Sequence, residues 1–254
     1  VNYYKLIKGV SSPAPRYLLR LAALVDLGLL DVGSTRFQLA EIGPGSGDVC
    51  EYYLAQDECA KVFAVEFSEQ AAKGLVQRFS DHSKFTLYQD DVFSIPDEYV
   101  FDVVLAFEVF EHIEADRKAF LKVFDMLAGG GRLILSVPAY MKKWQAQDVY
   151  SGHVRRYEKS EIIEKLQGAG FVDVQVYDYG FPLTAIMYPF REFFYRKDES
   201  VSNEVKSKRS GVDRPLISRV FFIFMVPIVC AFAFVQRFFY RSEYGDGFIV
   251  CAKK

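Results

Sequence analysis

The heptapeptide FEVFEHI, Phe107 to Ile113, sets Glu108, Glu111 and His112 within five residues, directly after the apolar run FDVVLA. Ionisable groups at the mouth of a hydrophobic core are costly to bury, so they are there for chemistry or for local capping. The three stand at i, i+3 and i+4, which places them on one face if a helix begins there. Two carboxylates and an imidazole on one turn can ligate a divalent cation such as magnesium, zinc or manganese. They can equally cap a helix N-terminus and complement its dipole. The chain has three histidines. His153, in SGHVRRY, is the best general-base candidate because imidazole titrates near neutral pH; Glu108 and His112 are the other catalytic candidates. His82 sits in a polar loop and reads as solvent-exposed. Arg155, Arg156 and Tyr157 either orient an anionic substrate or form an exposed polar turn.

A second chemical signal is LAEIGPGSGD, Leu39 to Asp48. A strand runs into Gly43, Gly45 and Gly47, and a helix follows. Glycines permit a tight turn and close approach of a ligand to the backbone. At the end of the next strand, Glu66 can accept hydrogen bonds from two ribose hydroxyls. Alone, G-x-G-x-G also suits a dehydrogenase or a turn with no ligand. The context narrows it. Glu41 precedes the loop, the spacing is not G-x-G-x-x-G, the third strand ends in Asp90-Asp91-Val92, and the fourth opens with Phe101-Asp102.

These residues need a frame that brings strand ends together. FQLAEI, KVFAVEF, FTLYQ, FDVVLAF and GRLILSVP read as buried strands. Helical patterns alternate with them, around Glu69–Phe79 and Asp116–Leu127, the latter stopped by Gly129-Gly130-Gly131. An amphipathic helix is expected over Pro13–Leu30, and another from Ser160, as N-cap, to the Gly168–Gly170 stop. VDVQVYDYG and GFIVCAKK supply the last strands. Alternation of this kind predicts an α/β fold: a doubly wound parallel sheet with helices on both faces and ligands beyond the strand carboxyl ends.

As a set, the motifs resemble those of the class I S-adenosylmethionine-dependent methyltransferases, over Phe37 to about Asp178 plus the last strand. The resemblance implies a Rossmann-like seven-stranded sheet with its last strand antiparallel. It implies that the Gly43–Gly45–Gly47 loop passes the methionine part of S-adenosylmethionine and that Glu66 would hold the ribose, with Glu41 and Phe67 as further cofactor-binding residues. Asp90 or Asp91 would bond the adenine, Val92 would flank the ring, and Phe107 would lie beside the methionine end. E-x-x-E-H further resembles the metal-binding motif of ubiquinone-biosynthesis O-methyltransferases and small-RNA ribose O-methyltransferases. The latter take another histidine after the fifth strand, so the implied metal ligands are Glu108, Glu111, His112 and His153, with magnesium as one candidate cation.

The chain of 254 residues carries a net charge of −2, which argues against nucleic acid as a partner. Its four cysteines lack C-x-x-C spacing and read as the reduced thiols of a cytoplasmic protein. Two units are expected: 1–180 with 245–254 as the cofactor-binding domain, and 181–244 as a helical, basic and aromatic insertion between the last two strands. Residues 181–241 hold ten Lys/Arg and five Asp/Glu, a local +5 against −7 elsewhere. Within them Val220–Val235, sixteen residues, carries no charge. As a helix this run spans roughly 24 Å, short of a bilayer crossing. Both its ends must also return to one sheet. The insertion is therefore read as a substrate cap, a peripheral contact with the inner membrane face, or an interface with a second copy or partner protein. The expected acceptor is a hydroxyl on an aromatic, polyene or lipid-linked intermediate. N- or C-methylation of a small soluble metabolite, and a non-catalytic cofactor-binding subunit, are the alternatives.

Overall fold

Strands β1 (Phe37–Ile42), β2 (Cys59–Val65) and β4 (Phe101–Phe107) are buried almost throughout. They are covered on both faces, as parallel strands require. With β3 (Phe85–Tyr88), β5 (Leu127–Pro138), β6 (Val172–Tyr179) and β7 (Gly247–Lys253) they form a seven-stranded sheet of order β3-β2-β1-β4-β5-β7-β6. Strand β7 runs antiparallel to both neighbours. This is the fold expected from the sequence. The computed structural model describes residues 14–195 and 216–254.

Period-two alternation sends successive side chains to opposite faces. Leu39, Val62, Leu105 and Ile134 pack under α1 (Pro15–Asp26), α2 (Asp48–Leu54) and α3 (Glu69–Phe79). Ala40, Phe63, Val104 and Leu133 pack under α4 (Asp116–Asp125) and α6 (Lys159–Gly168) on the other face. Strand order reverses between β1 and β4. Their carboxyl ends, Ile42 and Phe107, therefore border the crevice where such sheets bind ligands.

Two local expectations are corrected. Gly129-Gly130-Gly131 does not stop α4, which ends at Asp125; the glycines lie inside β5. A Cβ on Gly131 would meet Ala128 O at 2.9 Å and Asp102 O at 3.1 Å, so Gly131 lets β5 approach β4 closely. Helix α6 is capped by Glu158 in a capping box with Glu161, and not by Ser160.

Between β6 and β7 lie α7 (Leu183–Tyr195) and α8 (Leu216–Gln236). Val229 and Ala233 of α8 join the core under α1. Gln236 donates from Nε2 to Leu19 O at 2.9 Å and accepts from Gly180 N at 3.1 Å. The basic stretch with Lys206, Lys208 and Arg209 lies outside the described residues. Among those described, no helix is long and apolar enough to cross a membrane.

Candidate active site

The glycine loop is shaped by positive φ at Gly43 (65°), Gly45 (57°) and Gly47 (76°), a region that favours glycine. A Cβ on Gly43 would strike Val109 Cγ2 at 2.8 Å, whereas one on Gly45 would project into open space. Gly45 N donates to Glu66 Oε2 at 3.1 Å, and Ser68 N to Oε1 at 2.9 Å. The Glu66 carboxylate is thereby fixed at the end of β2, with the Phe67 N–H as a further donor. Burial pushes its pKa above the ordinary value against these bonds.

The loop opens on a cavity of about 540 Å³, within the usual range for a small-molecule site. Gly43, Gly45, Glu66, Phe67, Asp90, Asp91, Val92, Glu108 and His112 all line it. Asp91 Oδ1 caps the turn Val92–Ser94, accepting from Phe93 N at 2.8 Å and Ser94 N at 3.0 Å. That cap engages Oδ1, and Val92 beside it lines the cavity. The other three cofactor candidates do not line the cavity. Glu41 lies beneath the loop, where Cys50 Sγ donates to it at 3.0 Å and burial pushes its pKa up to about 7. Gly47 packs against Phe79 and Leu75. Phe107 is buried in the core under the Arg20 guanidinium.

At the end of β4 the chain does not start an α-helix. Glu108 has φ 59°, and a single 3₁₀ turn follows over Phe110–His112. A positive φ in a bulky residue is uncommon and concentrates at functional sites. The turn separates the acidic groups. Glu108 Oε2 meets Arg16 at 2.9 Å, and Oε1 accepts from Ser136 Oγ at 2.9 Å and Tyr179 OH at 3.1 Å. Burial alone would raise its pKa, but Arg16 and Arg20 hold it below the usual carboxylate value. Among the described residues, Glu108 stands outside the group that could hold a metal, which consists of Glu111, His112 and His153, their ligand atoms within 4.8 Å of one another.

Glu111 is 0 % exposed and neither carboxylate oxygen makes a hydrogen bond. Burial pushes its pKa well up, and the Glu108 charge adds to this. Its Oε1 faces Nε2 of His153 at 3.7 Å. Nδ1 of His112 lies 3.2 Å from Gly152 O. A carbonyl only accepts, so hydrogen sits on Nδ1 and the neutral ring has its lone pair on Nε2. Burial lowers the His112 pKa to about 4, which keeps that ring neutral at working pH. His112 lines the cavity; His153 sits just behind, between Gly152 and Val154, which line it.

Arg156 and Tyr157 are not substrate-facing. Arg156 binds Asp148 and, at 3.0 Å, Asp246; Tyr157 OH donates to Asp116 at 2.8 Å. Arg155 also pairs with Asp116, at 2.8 Å. His82 is exposed, as expected. Sequence reading missed Arg16, Asp148, Tyr179 and Asp246. Of these, only Asp148 had a local signal, five residues before His153.

A seven-stranded sheet with antiparallel β7, a glycine loop after β1, an acid after β2 and an Asp-Asp pair after β3 defines the class I methyltransferase fold and its cofactor crevice. The family model described as "Methyltransferase domain" matches residues 15–176, and the chain belongs to that family as an S-adenosylmethionine-dependent methyltransferase. Among solved structures it is similar to an S-adenosylmethionine-dependent methyltransferase from Mesorhizobium loti, with 13% identity over 92% of this chain and 98% of that one, TM-score 0.57. It is also similar to phosphoethanolamine N-methyltransferase 2 from Haemonchus contortus in complex with S-adenosyl-L-methionine, with 17% identity over 99% of this chain and 56% of that one, TM-score 0.60. Ribosomal RNA small subunit methyltransferase A from Prochlorococcus marinus is 44% identical over 59 residues, 23% of this chain. That alignment spans 21% of the relative's length.

The residues present fit the cofactor. Gly45 leaves space where a side chain would stand, and the ionisable groups lining the cavity are Glu66, Asp90, Asp91, Glu108, Glu114 and His112, a set suited to a sulfonium cation. Glu66→Ala is expected to weaken S-adenosylmethionine binding more than tenfold. Bonds to a charged group contribute about 1.5–3 kcal/mol each. Calorimetry giving equal affinities for the two proteins would remove Glu66 from the site.

Proposed function

We propose that the protein transfers the cofactor's methyl group to a hydroxyl of an aromatic, polyene or lipid-linked intermediate. The observation that carries this reading is the buried Glu111–His112–His153 cluster against the cavity wall. A neutral amine already offers its electron pair to the methyl carbon. A phenol, with pKa about 10, gains from a base, and an aliphatic alcohol gains more. When bound, S-adenosylmethionine would supply an electrophilic methyl carbon to the acceptor oxygen, its sulfur keeping the electron pair of the old bond. The hydroxyl proton passes to the imidazoles, of which His112 faces the cavity and His153 backs it. Positioning supplies much of the rate, and the crevice between β1 and β4 fixes it.

The same donors also fit a divalent cation, because Glu111 lacks any hydrogen-bond donor and both Nε2 atoms carry lone pairs. One carboxylate and two imidazoles form a zinc-type ligand set more than the all-oxygen set magnesium prefers. When bound, such an ion would acidify a coordinated hydroxyl. The decisive experiment is product mass after incubation with isotopically labelled cofactor and a cell lipid extract. A labelled methyl on nitrogen or carbon would overturn the reading, as would the absence of transfer.

The insertion supports contact with a membrane surface. Ile186, Ile228, Phe234 and Phe238 are exposed, Phe238 at 76 %, with Arg237 beside Phe234. Apolar side chains next to basic ones suit the headgroup boundary of anionic lipid. Binding to anionic vesicles is expected to exceed binding to neutral ones and to fall as salt rises. Co-sedimentation at two salt concentrations measures this, and no binding to either vesicle type would leave the insertion as protein-facing only.

A further inference from the structure

Asp148 lies in the first turn of α5 (Ala146–Ser151) and is 1 % exposed. Its Oδ1 is 2.9 Å from Nδ1 of His153. Oδ2 accepts from Gln145 N at 2.8 Å, and Arg156 Nε approaches the two oxygens at 3.0 and 2.9 Å. Asp148 pairs with the buried Arg156 guanidinium, whose Nη2 nitrogen also lies 2.9 Å from Oδ2, and so stands as a carboxylate. A carboxylate can only accept, so the nitrogen facing it bears the hydrogen. The neutral His153 ring then has its lone pair on Nε2, which faces Glu111 and lies in the ring pair with His112, centroids 4.9 Å apart. In the other tautomer an N–H would point into the cluster, and the ring could neither take a proton there nor ligate.

We propose that Asp148 is a positioning residue for methyl transfer: it fixes His153 as the Nδ1–H tautomer and keeps its Nε2 lone pair on the side of Glu111 and His112, the cluster behind the cavity wall. The proposal rests on the reading of the histidine cluster given above. Its support reaches beyond the dyad. Arg156 bridges Asp148 to Asp246, and Asp246 holds Arg191 of α7 at 2.9 Å. Arg191 Nε also donates to Gln147, the neighbour of Asp148, at 2.6 Å. The orientation of His153 is thereby tied to the docking of the insertion between β6 and β7.

The test is ¹⁵N NMR of imidazole-labelled protein, with the three histidines assigned by single substitution. Wild-type His153 is expected to show protonated Nδ1 and unprotonated Nε2. Asp148→Asn, whose amide can donate or accept, is expected to give a tautomer mixture. Its kcat for labelled methyl transfer to the extract acceptor should fall about 100- to 10,000-fold, with KM for the cofactor unchanged. Asp148→Glu should recover part of the loss. A wild-type His153 protonated on Nε2 overturns the proposal without need of any variant, should Asp148→Asn fail to fold. Turnover lost in His153→Ala but intact in Asp148→Asn, with an unchanged tautomer, overturns the positioning role alone. Normal turnover in His153→Ala overturns the cluster reading and this proposal with it.

Discussion

His153→Ala is expected to lower methyl transfer by about 100- to 10,000-fold, the usual cost of losing a general base, while leaving cofactor affinity near normal. The separation follows from the geometry. The glycine loop, Glu66 and the Asp90-Asp91 turn line the cavity, whereas His153 sits behind its wall in the cluster with Glu111 and His112. Glu111→Gln nearly keeps the shape and removes the carboxylate a cation would need, so it distinguishes two versions of the chemistry. If a cation is held, chelator abolishes turnover, added divalent ion restores it, and Glu111→Gln is as impaired as His153→Ala. If the cluster handles only a proton, turnover survives chelator and His153→Ala remains impaired. Single-turnover transfer from labelled cofactor reads both. Near-normal rates in His153→Ala, His112→Ala and Glu111→Gln would reduce the cluster to packing.

Asp246→Ala is expected to cost about 3–5 kcal/mol of stability, because it removes the buried carboxylate that Arg156, Arg191 and Arg16 share. Asp246 is buried in the turn before β7 and accepts from Arg156 at 3.0 Å and Arg191 at 2.9 Å, with Arg16 at 3.6 Å. The Arg156 side chain is 0 % exposed. A domain of this kind has about 5–15 kcal/mol in total, so the loss is a large fraction. Burial would raise the Asp246 pKa, but the three guanidinium groups hold it well below the ordinary carboxylate value. A carboxylate depressed in the folded state contributes stability that is present above its unfolded pKa and lost as pH falls through the folded one. The gap between wild type and variant in urea unfolding should thus stay constant from neutral pH to about pH 4 and narrow only in stronger acid. A difference below about 1 kcal/mol at pH 7 would show that the network is dispensable.

The frame that holds these groups was legible before any coordinates. Periodicity located β1 and β4 at their observed bounds, and it gave α3 as Glu69–Phe79, because apolar alternation and helical spacing are local consequences of burial. Gly43, Gly45, Glu66 and Asp91 could be placed at the strand ends that border the cavity because backbone conformation and strand ends fix them within a few residues of their own sequence signals. The glycine triplet misled, since a tight approach between β5 and β4 and a helix stop draw on the same residue type.

The electrostatics of the site had no such local signal. Glu108, Glu111 and His112 looked equivalent in FEVFEHI. Only the fold brought Arg16, 92 positions earlier in the chain, against Glu108, and His153 against Glu111. One carboxylate was thereby kept ionised by a guanidinium and the other left without a donor. In the same way Asp246, near the end of the chain, meets Arg16 near its start and Arg191 in the insertion. Sequence by itself determined which groups can ionise and which elements carry them. Tertiary structure decided which are ionised and what each faces, because charge interactions depend on distance and burial in space, and chain separation encodes neither.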